Sequence, residues 1–286
     1  MKSPSHRPRG ASGETSPGSG RNRAFAEKLI RLLDPQYLQR WEIYDGILKR
    51  LTGPDTRWLD GGCGKNIAVE EFPCALNVGM DISRHSELRG NAGVFFVMGD
   101  LERVPFRGGA FTLATLNTVA VASRRSITVV RPFSAALDPR HLLCAETAGI
   151  RVCAAYLPVR TELRVPHLKA LAADGRAQGI GLIVGDFNTG KSGVDTSSPT
   201  ARFPRSDLLD SLAAAGYTDL WRAAHLQGRE YSYYSRKDGL PYNGFRIDHA
   251  FAAPELTRRV VRCEYDHTPR EVGETDHAAL SVWVRR

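Results

Sequence analysis

Short apolar runs that stop on a carboxylate recur along this chain, and they constrain its fold more than any other feature. "RWLDGGCGKN" ends its run at Asp60, followed by Gly61, Gly62 and Gly64. "ALNVGMDIS" ends at Asp81, "VFFVMGDLERVPF" at Asp100, and "LIVGDFNTG" at Asp186 with Asn188 two residues on. Runs of this length bounded by glycine and turn residues read as strands. A strand end holds a side chain rigidly, which suits a ligand or catalytic site. Asp and Asn also favour turns, so one such end alone carries little weight. Between the strands, "PHLKALAADGRAQG" and "SDLLDSLAAAGYTDLWRAAH" have helical spacing, the second with an N-cap at Ser206 and a stop near Gly216. Strands alternating with helices predict an α/β fold.

Residues 24–51 read as helix, with Leu29, Ile30, Leu33, Leu38, Trp41, Ile47 and Leu51 at helical spacing and a break at Pro35. The first 22 residues are rich in Ser, Gly, Pro and Arg without the apolar core of a secretory signal, and read as a disordered basic tail. With 286 residues, 42% of them hydrophobic, the chain can build one large or two ordinary domains. No apolar run approaches the roughly 20 residues of a membrane span. Five scattered cysteines without CxxC spacing suit a reducing, cytoplasmic location better than a disulfide framework. The net charge of +8 is compatible with a polyanionic partner such as nucleic acid, but it is spread over both halves and discriminates little.

The first three strand ends have a specific chemistry in their order. Glycines after the first strand let backbone approach a ligand closely. An acid at the second tip can accept from both hydroxyls of a ribose, and the third tip can meet an adenine edge. The series "LDGGCG", "MDIS", "GDLERVPF" resembles the front half of a class I S-adenosylmethionine-dependent methyltransferase over about residues 55–118. That resemblance implies that Asp60, Gly62 and Gly64 line the cofactor, Asp81 holds its ribose, and Asp100 and Leu101 flank the adenine. Beyond it, "VASRRSITVVRP" does not fit the continuation of that family.

The back part carries "GDFN", "RIDH" and "TDHAAL" in one order at long separation. Together they supply carboxylates, an amide and an imidazole, the groups needed for metal-assisted attack of water on a phosphodiester. With "GYTDLWR" and "EYSYYSRKDG", residues 119–286 resemble the endonuclease/exonuclease/phosphatase superfamily, in its exonuclease-III-like and apurinic-endonuclease branch. The resemblance implies that Asp186 orients or deprotonates the attacking water and that Asn188 donates to a phosphate oxygen. It implies that His277 contacts the phosphate, Asp248 orients His277, Tyr156 sits beside the scissile phosphate, and Asp276 helps hold Mg2+ or Mn2+. Thr275 stands where Ser is more usual. Asp248 could instead pair with Arg246 at the surface. His249, on the opposite face of its strand, is expected to be silent on substitution. The superfamily's first Asn-bearing strand and its "QE" strand, whose Glu is the main metal ligand, are not found; Asn77, Asn117, Glu70, Glu71 and Glu102 lack the right context.

The expected architecture is therefore α/β, a partial Rossmann-like methyltransferase sheet joined to a partial α/β-sandwich. Its parts are a tail (1–22), a methyltransferase-like half-domain (23–118) and an endonuclease/exonuclease/phosphatase-like domain lacking its N-terminal strands (119–286). The expected activity is divalent-metal-dependent phosphodiester hydrolysis, nuclease-like, with DNA favoured as partner. A methyltransferase or S-adenosylmethionine-binding module, and a non-catalytic hybrid of two incomplete domains, stand as alternatives.

Overall fold

The apolar runs form strands. The computed structural model describes residues 46, 48–61, 72, 74–81, 94–98, 110–116, 119–130, 133, 137–237, 240–273 and 275–285, all within the unit Tyr44–Arg286. The tail, most of the helix expected over 24–51, Gly62, Gly64, Asp100, Leu101, Asn117 and the Asp81 side chain lie outside the described set. The strands are β1 (Arg57–Gly61), β2 (Leu76–Asp81), β3 (Val94–Met98), β4 (Phe111–Leu116), β5 (Val119–Val129), β6 (Leu142–Thr147), β7 (Ile150–Tyr156), β8 (Leu182–Asp186), β9 (Thr218–Asp219), β10 (Tyr233–Lys237), β11 (Leu240–Phe245), β12 (Asp248–Ala252), β13 (Val260–Asp266) and β14 (Ala279–Val284). Helices α1 (Thr161–Asp174), α2 (Asp207–Ala214), α3 (Leu220–Ala224) and α4 (Pro254–Thr257) lie between them.

Ten strands make one mixed sheet in the order β3-β2-β1-β4-β5-β6-β7-β8-β12-β9. The first four are mutually parallel. The direction reverses at β4–β5, where Leu116 pairs with Val119. The stretch "VASRR", which fitted no methyltransferase continuation, thus becomes part of a long antiparallel strand. β6 and β7 form the expected hairpin; Ala148 (φ 53) and Gly149 (φ 74) both take the left-handed conformation that a tight two-residue turn requires. β10–β11 and β13–β14 are separate two-stranded sheets.

Alternation places the core. On β8, Ile183 faces a layer with Leu168 and Leu171 of α1 and Leu208, Leu209 and Leu212 of α2. Its neighbours Leu182 and Val184 face the opposite layer, built from Trp221 of α3, Cys263 and Tyr265 of β13, and Val282 of β14. On β12, Phe251 joins the first layer, and Ala250 and Ala252 the second. The central strands are therefore covered on both faces, as in an α/β sandwich. Cys144 and Cys153 are buried, free and paired across β6–β7, with sulfurs 3.1 Å apart.

Helix α1 starts at Thr161, five residues before the expected Pro166, and runs through that proline. One intrahelical bond is lost there. Arg164, 3% exposed, donates to the carbonyls of Pro158 and Val159 and ties the first turn to the segment before it. Ser206 does occupy the N-cap of α2, but its side chain makes no capping bond.

Gly185 is needed for close approach. Its φ is 141, and a Cβ there would lie 2.0 Å from the Ala155 carbonyl oxygen on β7. Gly185→Ala is expected to cost at least about 3 kcal/mol, the scale of imposed backbone strain with lost strand pairing. Gly53→Ala, where nothing lies within 4 Å, is expected to stay within about 0.5 kcal/mol. Equal urea midpoints for the two variants would show that β7 and β8 do not meet in this way.

Candidate active site

Strand register brings the candidate residues into one row. Tyr156 of β7 pairs with Asp186 of β8, and Asp186 pairs with Asp248 of β12. Directly opposed residues of an antiparallel pair have Cα atoms about 4.5–5.5 Å apart, so the two carboxylates are close neighbours. His277 enters from the segment before β14: its Nδ1 lies 2.7 Å from Asp248 Oδ2. Its backbone bridges Tyr233, and the two rings stand 5.1 Å apart.

The "DFN" spacing follows from burial. Phe187 is fully buried in the core layer of α1 and α2, while Asp186 and Asn188 are only partly buried. Asn188 has φ 49, a left-handed conformation that Asn tolerates better than most residues. That turn lets its N–H donate to Asp186 Oδ1 at 2.7 Å and its Nδ2 donate to Asp186 Oδ2 at 3.0 Å and to Leu157 O at 2.8 Å. Both amide hydrogens are thus engaged, and in this conformation Asn188 holds Asp186 rather than facing outward.

The electrostatics oppose one another across the row. Burial, reinforced by the Asp248 carboxylate, pushes Asp186 up to about 6, against the pull of His277 and the Asn188 N–H. Burial pushes His277 down, but the hydrogen bond and charge of Asp248, with Asp186 and Asp276 behind it, raise it to about 9. Near neutral pH the site therefore holds an ionisable carboxylate with a basic character unusual for Asp beside an imidazolium.

Several supporting residues escaped the sequence reading. Ser232, fully buried, accepts at Oγ from the N–H groups of Ile247 and Asp248, and its carbonyl accepts from Ala278 N. It ties the Asp248 strand to the His277 segment; an alternating aromatic run gave no signal for it. Thr275 Oγ1 accepts from His277 N at 3.2 Å, so the Thr in place of Ser keeps a hydroxyl acceptor. His141 Nδ1 lies 2.7 Å from the Tyr156 carbonyl and anchors that end of the row.

Two expectations are corrected. Arg246 is not a surface partner of Asp248: it is fully buried and chelates Asp195 and Asp219. An arginine this deep needs charge balance, and Asp195 and Asp219 provide it. His249 does point away from the row, but its ring is fully buried against Phe187 and Phe251, with Nε2 2.8 Å from Thr189 O. His249→Ala is therefore expected to cost packing stability.

Among the described residues, no group of three His, Cys, Asp or Glu side chains is arranged to hold a metal ion. Both Asp186 oxygens accept from Asn188, one Asp248 oxygen accepts from His277, and Asp276 is exposed. The described donors do not by themselves fit a divalent cation. In the front strands, Asp60 is buried at 7% exposure and accepts from Thr115 Oγ1 at 2.6 Å. β1 stands five strands from β8 in the sheet, roughly 24 Å at the usual spacing. The structure thus brings together Tyr156, Asp186, Asn188, Asp248, His277 and Asp276, and keeps Asp60 apart from them.

The endonuclease/exonuclease/phosphatase family profile matches residues 80–277. The chain belongs to this family. The match begins within β2 and takes in β3 to β13. No curated protein matches the sequence. Among solved structures, a 3′-5′ exonuclease from Neisseria meningitidis is similar at 20% identity and TM-score 0.51, over 58% of this chain and 75% of that one. A 3′ phosphatase from Neisseria bound to product DNA hairpin is similar at 20% identity and TM-score 0.50, over 58% and 74%. An AP endonuclease from Archaeoglobus fulgidus has 24% identity and TM-score 0.47, over 54% and 68%. These likenesses concern the fold, a mixed α/β sandwich. Family membership places the chain broadly among phosphoester hydrolases.

The His277–Asp248 pair can be checked directly. A histidine raised in the folded state contributes stability that is fully present below its ordinary value of 6.5 and is lost as pH rises through about 9. In nitrogen-edited NMR spectra, the His277 ring is expected to titrate near 9. In Asp248→Asn it should fall into or below the ordinary histidine range, since burial then acts with less opposition. An unmoved titration in that variant would break the assignment.

Proposed function

We propose that this chain hydrolyses phosphodiesters, with DNA as the favoured substrate, and that the row Tyr156–Asp186–Asp248 with His277 is the catalytic site. The observation that carries this reading is the register of β7, β8 and β12, which aligns a carboxylate of raised pKa beside an imidazole of raised pKa. Asp186 accepts the proton of the attacking water, a task suited to a base poised near the working pH. Asn188 fixes the Asp186 carboxylate. Asp248 holds Nδ1 of His277 and thereby directs the other ring nitrogen, Nε2, to the phosphate. The imidazolium stabilises charge that develops in the transition state. Tyr156 lines the same row beside the scissile phosphate. Asp276 supplies one exposed carboxylate toward Mg2+ or Mn2+. A divalent ion bound there would polarise the phosphate, but the described donors are too few for a complete site, and no step above depends on one.

His277→Ala and Asp248→Asn are each expected to lower turnover on a DNA phosphodiester roughly a hundredfold or more. The double variant should be little worse than His277→Ala, because the two side chains act as a unit. The wild-type kcat/KM profile should rise as Asp186 ionises near 6 and fall as His277 deprotonates near 9. Additive losses in the double variant, or full activity of His277→Ala, would overturn the arrangement.

A second reading has one observation in its favour. The parallel strands β3-β2-β1-β4 follow the 3-2-1-4 order of a nucleotide-binding doubly wound sheet. On that reading Asp60 and Asp81, at the ends of β1 and β2, serve an S-adenosylmethionine-type cofactor. Thermal denaturation separates the readings, because a ligand stabilises the state that binds it. Millimolar magnesium or manganese is expected to raise the midpoint modestly. A rise with S-adenosylhomocysteine that Asp81→Ala abolishes would establish the second site. No rise with either would leave the chain without both ligands.

A further inference from the structure

Another concavity lies at the opposite end of the same strands. Tyr156 and Asp186 close β7 and β8, whereas Arg151 and Gly181, at their beginnings, line a cavity of about 340 Å³. Five residues of strand separate Gly181 from Asp186, roughly 17 Å at the usual rise. This volume is at the lower end of the range for small-ligand sites. The walls carry three guanidinium groups from separate segments, Arg151, Arg176 and Arg259, and among the described lining residues Glu255 is the one carboxylate.

The hydrogen bonds show which of these cations is available. Arg176 gives both terminal nitrogens to Glu255, at 3.0 Å each, so that pair is neutral. Arg151 donates to Gln178 O and, at 3.1 Å, to Glu146, but its Nε is buried and has no partner among the described residues. The Glu146 carboxylate already balances its charge, so Arg151 shapes the wall without being a free cation. Arg259 donates its Nε to the Arg285 carbonyl at 3.1 Å, and its terminal nitrogens bond no described residue. Between them the wall is bare backbone: Gly179 has φ 67, and a Cβ there would come within 3.2 Å of Arg151 Nη1. Ile180 and Leu256 give the cavity an apolar floor.

Forked N–H donors match the paired oxygens of a phosphate or a carboxylate, and an apolar floor suits the body of an organic phosphate. We propose that this cavity is a second ligand site, separate from the catalytic row, that binds the phosphate group of a nucleotide. A free nucleotide and a nucleic-acid backbone present the same phosphate. Calorimetry on the full chain with inorganic phosphate, deoxyadenosine 5′-monophosphate and a single-stranded oligonucleotide tests it. Arg259 is exposed, so Arg259→Gln and Arg259→Glu should fold. Both are expected to weaken deoxyadenosine monophosphate binding by about tenfold or more, and to do so equally in a His277→Ala background, where the phosphate contact proposed for the catalytic row is gone. A matching loss with the oligonucleotide identifies the backbone as the source; a loss confined to the mononucleotide identifies the free ligand. No binding of any probe, equal affinity in wild type and the Arg259 variants, or an Arg259 effect that disappears in the His277→Ala background would overturn the proposal.

Discussion

The candidate site depends on a buried arginine that never touches it. Arg246 lies between Asp195 and Asp219, with four nitrogen–oxygen contacts of 2.7–3.1 Å. Asp195 also accepts from Arg222 and from the Lys191 N–H, and the Trp221 ring lies 5.2 Å from the guanidinium. Burial alone would lower the arginine's pKa; the two carboxylates more than reverse this and raise it. Burial would raise Asp219, but His249 and Arg246 hold it far below the usual carboxylate range. Such a network adds little stability over an apolar replacement of the same shape, but removing one partner costs about 3–5 kcal/mol. Its main consequence is geometric. Arg246 precedes Asp248 by two residues, and Asp195 lies in the loop that follows Asn188. The network therefore fixes the two halves of the site to each other.

With that frame rigid, the site can hold charges that would otherwise separate. Two carboxylates in register repel, and the protein accommodates this by raising Asp186 while pairing Asp248 with His277. Titratable neighbours with pKa values pushed away from their ordinary ranges are a common signature of acid–base division of labour. Asn188 sharpens the division because its two donors hold Asp186 in place while Asp248 is held by Ser232 from the backbone side. No single motif contains all of these groups.

Much of this was legible in the sequence. "GDFN", "RIDH" and "TDHAAL" marked Asp186, Asn188, Asp248 and His277 because polar residues at strand ends break an apolar pattern. The hairpin at Ala148–Gly149 and the strands β1 to β3 were legible for the same reason. Register was not: Asp186 faces Asp248 across 62 residues of chain, and local pattern carries no information about pairing at that distance. Arg246 read as a surface cation because arginines usually are, and only the positions of Asp195 and Asp219 in space show otherwise. Ser232 was missed similarly, since its partners are backbone atoms, which have no sequence signature. The start of α1 was misplaced because proline normally opens a helix, whereas here the buried Arg164 supports a turn before it.

The row across β7, β8 and β12 has a consequence for how the molecule acquires function. The β4–β5 and β6–β7 hairpins join neighbours in sequence and close at little entropic cost. The row instead requires residue 156 to meet 186, and 186 to meet 248, so it waits on the most remote contacts, which form slowly. A chain with both hairpins formed still has no site. Assembly of the row during refolding would therefore report the last long-range pairing to form, and partly folded chains would lack it.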